Sequence, residues 1–174
     1  MAETCRHEKV GTPEDVLVEI VFPLDAGAWH GFAAEALWAE RIADDRFLIR
    51  SAPFHAFDVS AEDVVSAHPS NGALRFHQVV ERGGGSTYRL FVRSGLKDPV
   101  FARYWSPLEE LDCNYEATDG SLLSIDVPSQ ADIEEVYALL EEGESAGVWE
   151  FEEGHVGHVL EPSHASWRPV SSSG

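Results

Sequence analysis

Apolar residues in the first half of the chain occur in short runs separated by turn residues, a pattern typical of β-strands. Residues 16–24 (VLVEIVFPL) form the first run and are rich in β-branched side chains. Asp44-Asp45 and Asn71-Gly72 lie between later runs and predict tight hairpins. Further strands are predicted at residues 36–42, 46–52, 63–67 and 74–80. About five short strands predict a small barrel, because closure leaves no exposed sheet edge.

Helical spacing appears only in the second half. Asp98-Pro99 predicts a helix start, since proline suits the first helical position, and Pro107 predicts a kink or an early end. Ser129 and Asp132 resemble a capping box that begins a second helix, whose end is marked by Gly143 and Gly147. Strands are predicted at residues 88–92, 113–118, 121–127 and 148–151.

The order strand, helix, strand, strand, helix, strand is typical of the ferredoxin-like pattern, in which two helices cover one sheet face. We therefore predict an α+β protein in which a small N-terminal β-barrel packs on a C-terminal ferredoxin-like (βαββαβ) unit. The expected divisions are a flexible N-terminus over 1–15, the β-barrel unit over 16–82, the ferredoxin-like unit over 83–160 and a disordered tail over 161–174.

Composition restricts the partners. Twelve basic and thirty-one acidic residues give a net charge of −19, which repels nucleic acid and anionic membranes and favours a basic partner. The hydrophobic share of 44% is sufficient for a folded domain. Cys5 and Cys113 form no CxxC motif, and we find neither a signal peptide nor a run of about 18 apolar residues. These features predict a cytoplasmic protein.

Three consecutive glycines, Gly83–Gly85, join the two predicted units and are followed by Ser86, Thr87 and Arg89. A phosphate-binding P-loop is excluded, because no lysine follows and the glycines lead into a strand. Two interpretations stay open for the loop: an anion-binding nest of backbone amides, and a structural turn. Arg89 has two candidate partners, Asp63 and a ligand carboxylate.

An apolar pocket with a few polar groups is the second candidate site. Trp38, Phe54 and Phe57 are predicted to shape it, and small-ligand sites have this composition. His55 and His77 are the candidate catalytic residues, since imidazole exchanges protons near neutral pH. The alternative for His55 is a partly buried histidine that hydrogen-bonds the backbone.

Metal and cofactor sites are not predicted. His155, His158 and His164 are close in sequence, but the glycines and the proline among them disfavour a helix, and no carboxylate or cysteine completes a tetrahedral set. No nucleophile elbow or dinucleotide fingerprint is present. The expectation is a protein that needs neither metal nor cofactor.

Several motifs, in order along the chain, resemble an uncharacterised bacterial family catalogued as a domain of unknown function. The matching segments are Leu37-Trp38-Ala39-Glu40, residues 46–56 (RFLIRSAPFHA), Glu62-Asp63-Val64-Val65, Gly83–Arg89 (GGGSTYR), Val127-Pro128 and Trp149-Glu150-Phe151-Glu152-Glu153. Gly85 stands where relatives carry histidine, and Glu62 stands where they carry glycine. The resemblance implies no activity.

Two functions follow from these patterns. The first is a cofactor-free pocket protein that binds a small, partly apolar molecule and either only holds it or transforms it by non-redox acid–base or cyclisation-type chemistry. Its ligand contacts would be Trp38, Phe54, Phe57, Asp63, Ser86, Thr87 and Arg89. The alternative is an acidic module that binds a basic protein, as immunity or antitoxin-like proteins do. The sequence leaves open whether the chain is an enzyme.

Overall fold

The chain is a mixed α+β protein, built mostly from strands with two helices, in a computed structural model that describes residues 3–7, 16–25, 27–118 and 120–159. None of the described helices is long and apolar enough to cross a membrane. In chain order the elements are β1 (Thr4–Arg6), β2 (Leu17–Pro23), β3 (Ala34–Ala43), β4 (Arg46–Ile49), β5 (Val64–Ser70), β6 (Ala73–Glu81), β7 (Ser86–Val92), α1 (Pro99–Glu110), β8 (Asn114–Ala117), β9 (Leu122–Val127), α2 (Ile133–Ser145) and β10 (Trp149–His155).

The first sheet contains six strands in the order β1-β3-β2-β6-β5-β4. Its longest strand, β3, also pairs with β4, so hydrogen-bonded pairing runs from β2 through β3, β4, β5 and β6 back to β2. Asn71 and Gly72, at φ 51° and 79°, form the tight turn between β5 and β6, as their sequence predicts. Alternate side chains from these strands form one apolar core.

The second sheet has the order β10-β7-β9-β8 and is antiparallel throughout. Helix α1 connects β7 to β8, and α2 connects β9 to β10. Both helices pack on the same sheet face, where Tyr88, Leu123 and Trp149 join residues of the helices in a second apolar core.

The opposite face of the second sheet is polar and contacts the first sheet's loop, residues 50–63, between β4 and β5. Ser124 Oγ donates to the carbonyl of Pro53 at 2.7 Å, and Thr87 Oγ1 lies 2.8 Å from Ser60 Oγ. Arg89 donates from Nη2 to the carbonyl of Ala56 at 2.6 Å. Hydrogen bonds between buried groups thus join the two sheets, and we call this contact the polar layer.

Several local expectations need correction. Thr4–Arg6 forms β1, which pairs in parallel with β3, although the N-terminus carries no strand pattern. Pro107 lies inside α1, which continues to Glu110. The cap of α2 is Asp132 itself, whose Oδ1 accepts from the N–H groups of Glu134 and Glu135, so the capping box with Ser129 is wrong.

The expected end of α2 also moves. Gly143 lies within the helix and not at its end, because it packs against the indole of Trp149, where a Cβ would lie 2.1 Å from a ring carbon. Gly147, at φ +74°, follows the helix as expected of a glycine in the left-handed region. The predicted tail over 161–174 lies outside the described residues.

Candidate functional site

Glu35, on β3, is a fully buried carboxylate that organises the loop beside it. Its Oε1 accepts from the backbone N–H of Phe54 at 2.6 Å, and its Oε2 accepts from those of His55 at 3.0 Å and Ala56 at 2.7 Å. Three successive amides therefore converge on one side chain. Burial opposes the charge of Glu35, but His7 and these N–H groups outweigh burial and lower its pKa.

His7, which directly follows β1, supplies the fourth hydrogen bond to this carboxylate. Its Nε2 lies 2.7 Å from Glu35 Oε1, and its Nδ1 lies 2.6 Å from Glu116 Oε2 on β8. Burial lowers the pKa of His7, yet the two carboxylates reverse that effect and raise it to about 9. His7 is therefore a buried imidazolium that bonds to both sheets.

His55 lies at the base of a cluster of rings that we call the aromatic–histidine cluster. Its ring centroid lies 4.4 Å from that of His30, 5.2 Å from Phe32 and 5.9 Å from Trp29. The side chain of Trp29 is 77% exposed, whereas His55 is only 5% exposed. The cluster is thus an aromatic surface with an imidazole beneath it.

The two histidines of this cluster have different roles. The backbone N–H of Phe32 donates to His30 Nδ1 at 3.0 Å, which places the proton of neutral His30 on Nε2. Burial, and to a smaller degree the charges of His30, Arg89 and His7, lower the pKa of His55 to about 4, although Glu35 acts in the opposite direction. Among the described residues, no group hydrogen-bonds the ring nitrogens of His55. His55 is therefore a neutral imidazole, and both of its ring nitrogens are free of hydrogen bonds to the residues that the structure describes.

Arg89 lies on the other side of the same loop and is 2% exposed. It donates to Ala56 and, from Nη1, to Glu152 Oε1 at 3.1 Å. The ring of Phe57 covers the guanidinium, whose central carbon is 4.2 Å from the ring centroid. Arg89 Nε has no hydrogen-bond partner among the described atoms. Each terminal nitrogen of Arg89 thus donates to a nearby protein group.

The glycine loop is held by the chain's own groups. Asp63, a predicted ligand residue, is buried and accepts from the N–H of Gly83 at 2.8 Å and from Arg82 Nη1 at 3.1 Å. Gly83 has no room for a Cβ, which would lie 2.5 Å from the carbonyl oxygen of Glu62. Gly84 has φ +84°. These contacts favour the structural-turn interpretation, and the anion that meets the Gly83 amide here is Asp63.

Ser86 anchors the segment that follows β10. Its Oγ accepts from the N–H of Gly157 at 3.0 Å and lies 2.7 Å from His158 Nδ1. Since His158 Nε2 lies 3.1 Å from the carbonyl of Pro128 and must donate to it, Nδ1 of the neutral ring accepts the Ser86 proton. With its proton donated and its oxygen accepting, Ser86 is suited to fastening the chain and not to attacking a substrate.

The predicted site residues therefore fall into separate places. Phe54, His55 and the exposed Phe57 lie on the loop over 50–63, and Thr87 belongs to the polar layer. His77 lies on the exposed face of β6, where its ring is 5.1 Å from that of His68. Trp38 donates from Nε1 to the carbonyl of His7 at 3.1 Å. The structure thus brings His55 together with Phe54 but not with His77.

Sequence reasoning missed His7, Glu35 and Glu116. Hydrogen-bond partners 28 and 109 positions apart leave no local pattern. One signal was available: Glu35 is the only charged residue between Gly31 and Ala39, and a lone charge in an apolar strand suggests a buried, hydrogen-bonded carboxylate. For metals, no group of three or more potential ligands is found within the described part of the chain, and His164 lies outside it.

Comparison with known proteins identifies a matching family and a similar solved structure. A family model described as "Domain of unknown function (DUF4265)" matches residues 35–151. The chain is similar to the crystal structure of a hypothetical protein from Neisseria gonorrhoeae, with a TM-score of 0.69 and 18% identity, covering 83% of this chain and 98% of that one. At this identity the likeness concerns the fold alone. No curated protein matches the sequence.

Proposed function

This chain belongs to the DUF4265 family, and from its geometry we propose that it is a cofactor-free protein that binds a small, partly apolar molecule at the aromatic–histidine cluster. One observation carries the proposal. His55 is a nearly buried imidazole whose ring nitrogens bond to no group in the described part of the chain, and it lies beneath the exposed indole of Trp29. Such an arrangement offers a ligand both apolar contact and one polar anchor.

The chemistry of His55 favours binding over catalysis. A pKa of about 4 keeps its ring neutral near pH 7, so one nitrogen accepts a hydrogen bond and the other donates one. A general base works best when its pKa is near the working pH. His55 is therefore a good acceptor for a hydroxyl group and a weak base.

The ligand we propose is uncharged. The net charge of −19 repels anions, and both terminal nitrogens of Arg89 already bond to protein groups. An aromatic body fits the rings of Trp29, His30 and Phe32, because stacked or edge-to-face ring pairs add to apolar burial. Phenol is a small molecule that combines an aromatic ring, a hydroxyl group and no charge.

We also propose finer fold terms for the two sheets. The pairing that returns from β6 to β2 supports a small barrel, since closure removes edges. The order β10-β7-β9-β8, with both helices on one face, supports a ferredoxin-like arrangement for the second sheet. In this description the loop over 50–63 lies between the two units.

The test is an NMR titration of the full chain with phenol, cyclohexanol and benzoate. We expect phenol to shift the side-chain resonances of Trp29, His30 and His55, with cyclohexanol weaker and benzoate weakest. Trp29→Ala and His55→Gln should each weaken phenol binding about tenfold, which corresponds to about 1.4 kcal/mol. Phe91→Ala is the matched control, because Phe91 is an exposed aromatic residue on β7. Equal phenol affinity in all variants would refute the site.

A further inference from the structure

We propose that His7 is a positioning residue of the aromatic–histidine cluster, so that the residue directly after β1 belongs to the site although it lies outside the family match at 35–151. The proposal concerns the orientation of His55 in the folded protein. Only its ligand-affinity consequence rests on the proposed function.

The path from His7 to His55 is short and direct. His7 Nε2 bonds to Glu35, and the same carboxylate accepts the N–H groups of residues 54–56. A carboxylate that accepts three successive amides fixes the backbone from which the His55 side chain projects. The charge of His7 lowers the pKa of Glu35, whereas burial raises it.

A second contact joins His7 to the same loop. The ring of Phe54 stacks on the imidazole of His7, with centroids 4.4 Å apart and planes at 21°. His7 also reaches Glu116 on β8, so its ring is held from both sheets. Because the imidazole is fixed at three points, it can transmit its position to the loop.

Burial and the ionisable groups around these histidines act in opposite directions on the pKa of His55 when His7 is replaced. His7 faces Glu35 from β3 and Glu116 from β8, and the buried thiol of Cys5 on β1 is influenced by the charge of Glu35. His55 is influenced by Glu35, His30, Arg89 and His7. Burial is the largest cause of the lowered pKa of His55, so loosening of the loop, which admits water, raises that pKa. The change of charge acts the other way: without His7 the pKa of Glu35 rises, and the attraction of Glu35 for protonated His55, which exceeds the repulsion by His7, weakens. A rise in the pKa of His55 therefore reports on the position of the loop and not on the lost charge.

The first experiment compares His7→Gln with wild type by NMR titration of the His55 ring. Glutamine keeps an N–H donor but carries no charge. We expect the pKa of His55 to rise from about 4 toward its ordinary 6.5 and phenol affinity to fall at least threefold. His68→Gln is the matched control, since His68 is exposed on β5, and it should leave both quantities unchanged.

A folded His7→Gln protein with wild-type His55 titration would overturn the proposal, even if its melting temperature falls. The experiment also distinguishes failure of the proposed function from failure of the positioning role of His7. Failure of wild type to bind phenol removes the proposed function, whereas the His55 titration still reports on positioning.

A second measurement needs no variant. In wild type the backbone amides of residues 54–56 should titrate with the same midpoint as His7, about 9. Amide shifts that stay constant while His7 loses its proton would equally overturn the proposal. This measurement decides the question if His7→Gln does not fold.

Discussion

Replacing Glu35 with glutamine tests whether its buried carboxylate holds the loop over 50–63 in place. The substitution keeps the size of the side chain but exchanges one acceptor oxygen for an NH₂ group. Each carboxylate oxygen accepts two hydrogen bonds: Oε1 from Phe54 and His7, and Oε2 from His55 and Ala56. Whichever way the amide turns, its donor faces two other donors. The buried His7 also loses one of the two carboxylates that it contacts among the described residues and keeps the other, Glu116.

The substitution changes a single atom, yet we expect it to lower the free energy of unfolding considerably. A hydrogen bond to a charged group contributes about 1.5–3 kcal/mol, and at least two are lost. Removing one partner of a buried ion pair costs about 3–5 kcal/mol. We therefore expect Glu35→Gln to lower the free energy of unfolding by about 3–5 kcal/mol. A domain of ordinary stability, about 5–15 kcal/mol, survives this loss in a weakened form.

Urea unfolding followed by tryptophan fluorescence measures the effect. With an m value of about 2 kcal/mol per molar urea, the midpoint should fall by about 2 M. Glu40→Gln is the control on the same strand: Glu40 pairs with Arg50 at 2.8 Å, but its side chain is 43% exposed. Such a pair is worth about 0–1 kcal/mol. A loss below about 1 kcal/mol for Glu35→Gln would show that the carboxylate does not organise the loop.

Three further predictions concern stability. Gly143→Ala, which would usually strengthen a helix, should destabilise the fold by about 1–3 kcal/mol in a thermal melt, because the new Cβ meets Trp149; an unchanged melting temperature would contradict the packing. Burial, followed by the charges of Glu62 and Glu116, raises the pKa of Asp126 from 3.8 to about 6, so the fold is disfavoured once Asp126 ionises. Asp126→Asn should therefore stabilise the protein by about 1–3 kcal/mol above pH 6 and by nothing below pH 4; a gain that is independent of pH would refute this cause. The pKa of His7 is raised from 6.5 to about 9, so its contribution is complete below pH 6.5 and is lost as pH rises through 9. Between pH 6.5 and pH 9 the free energy of unfolding of wild type should fall by up to about 3 kcal/mol relative to that of His7→Gln. If the free energies of unfolding of the two proteins change with pH in parallel, the effect is excluded.

Sequence patterns predicted the parts of the fold that depend on neighbouring residues. Asn71-Gly72 predicted a hairpin because both residues tolerate positive φ, and Asp98-Pro99 predicted the start of α1 for equally local reasons. β1 has only three residues, and its pairing depends on β3, about 30 positions away. A local sequence pattern cannot predict such a strand.

The candidate site was harder to predict for the same reason. Phe54 and His55, which are neighbours in the sequence, were named from the composition of their loop. Their orientation depends on Glu35 and on His7, which belong to other elements. The ligand-binding assignments, the cytoplasmic location and the alternative of an acidic partner module stay predictions.

The polar layer has a consequence for cooperativity. Apolar faces can slide or separate gradually, but directional bonds such as those of Ser124 with Pro53 and Arg89 with Ala56 hold only at one alignment. Separation of the sheets would leave several buried donors and acceptors without partners at the same moment. The two sheets are therefore expected to melt in one transition, and the order of the loop between them is tied to the stability of the whole chain.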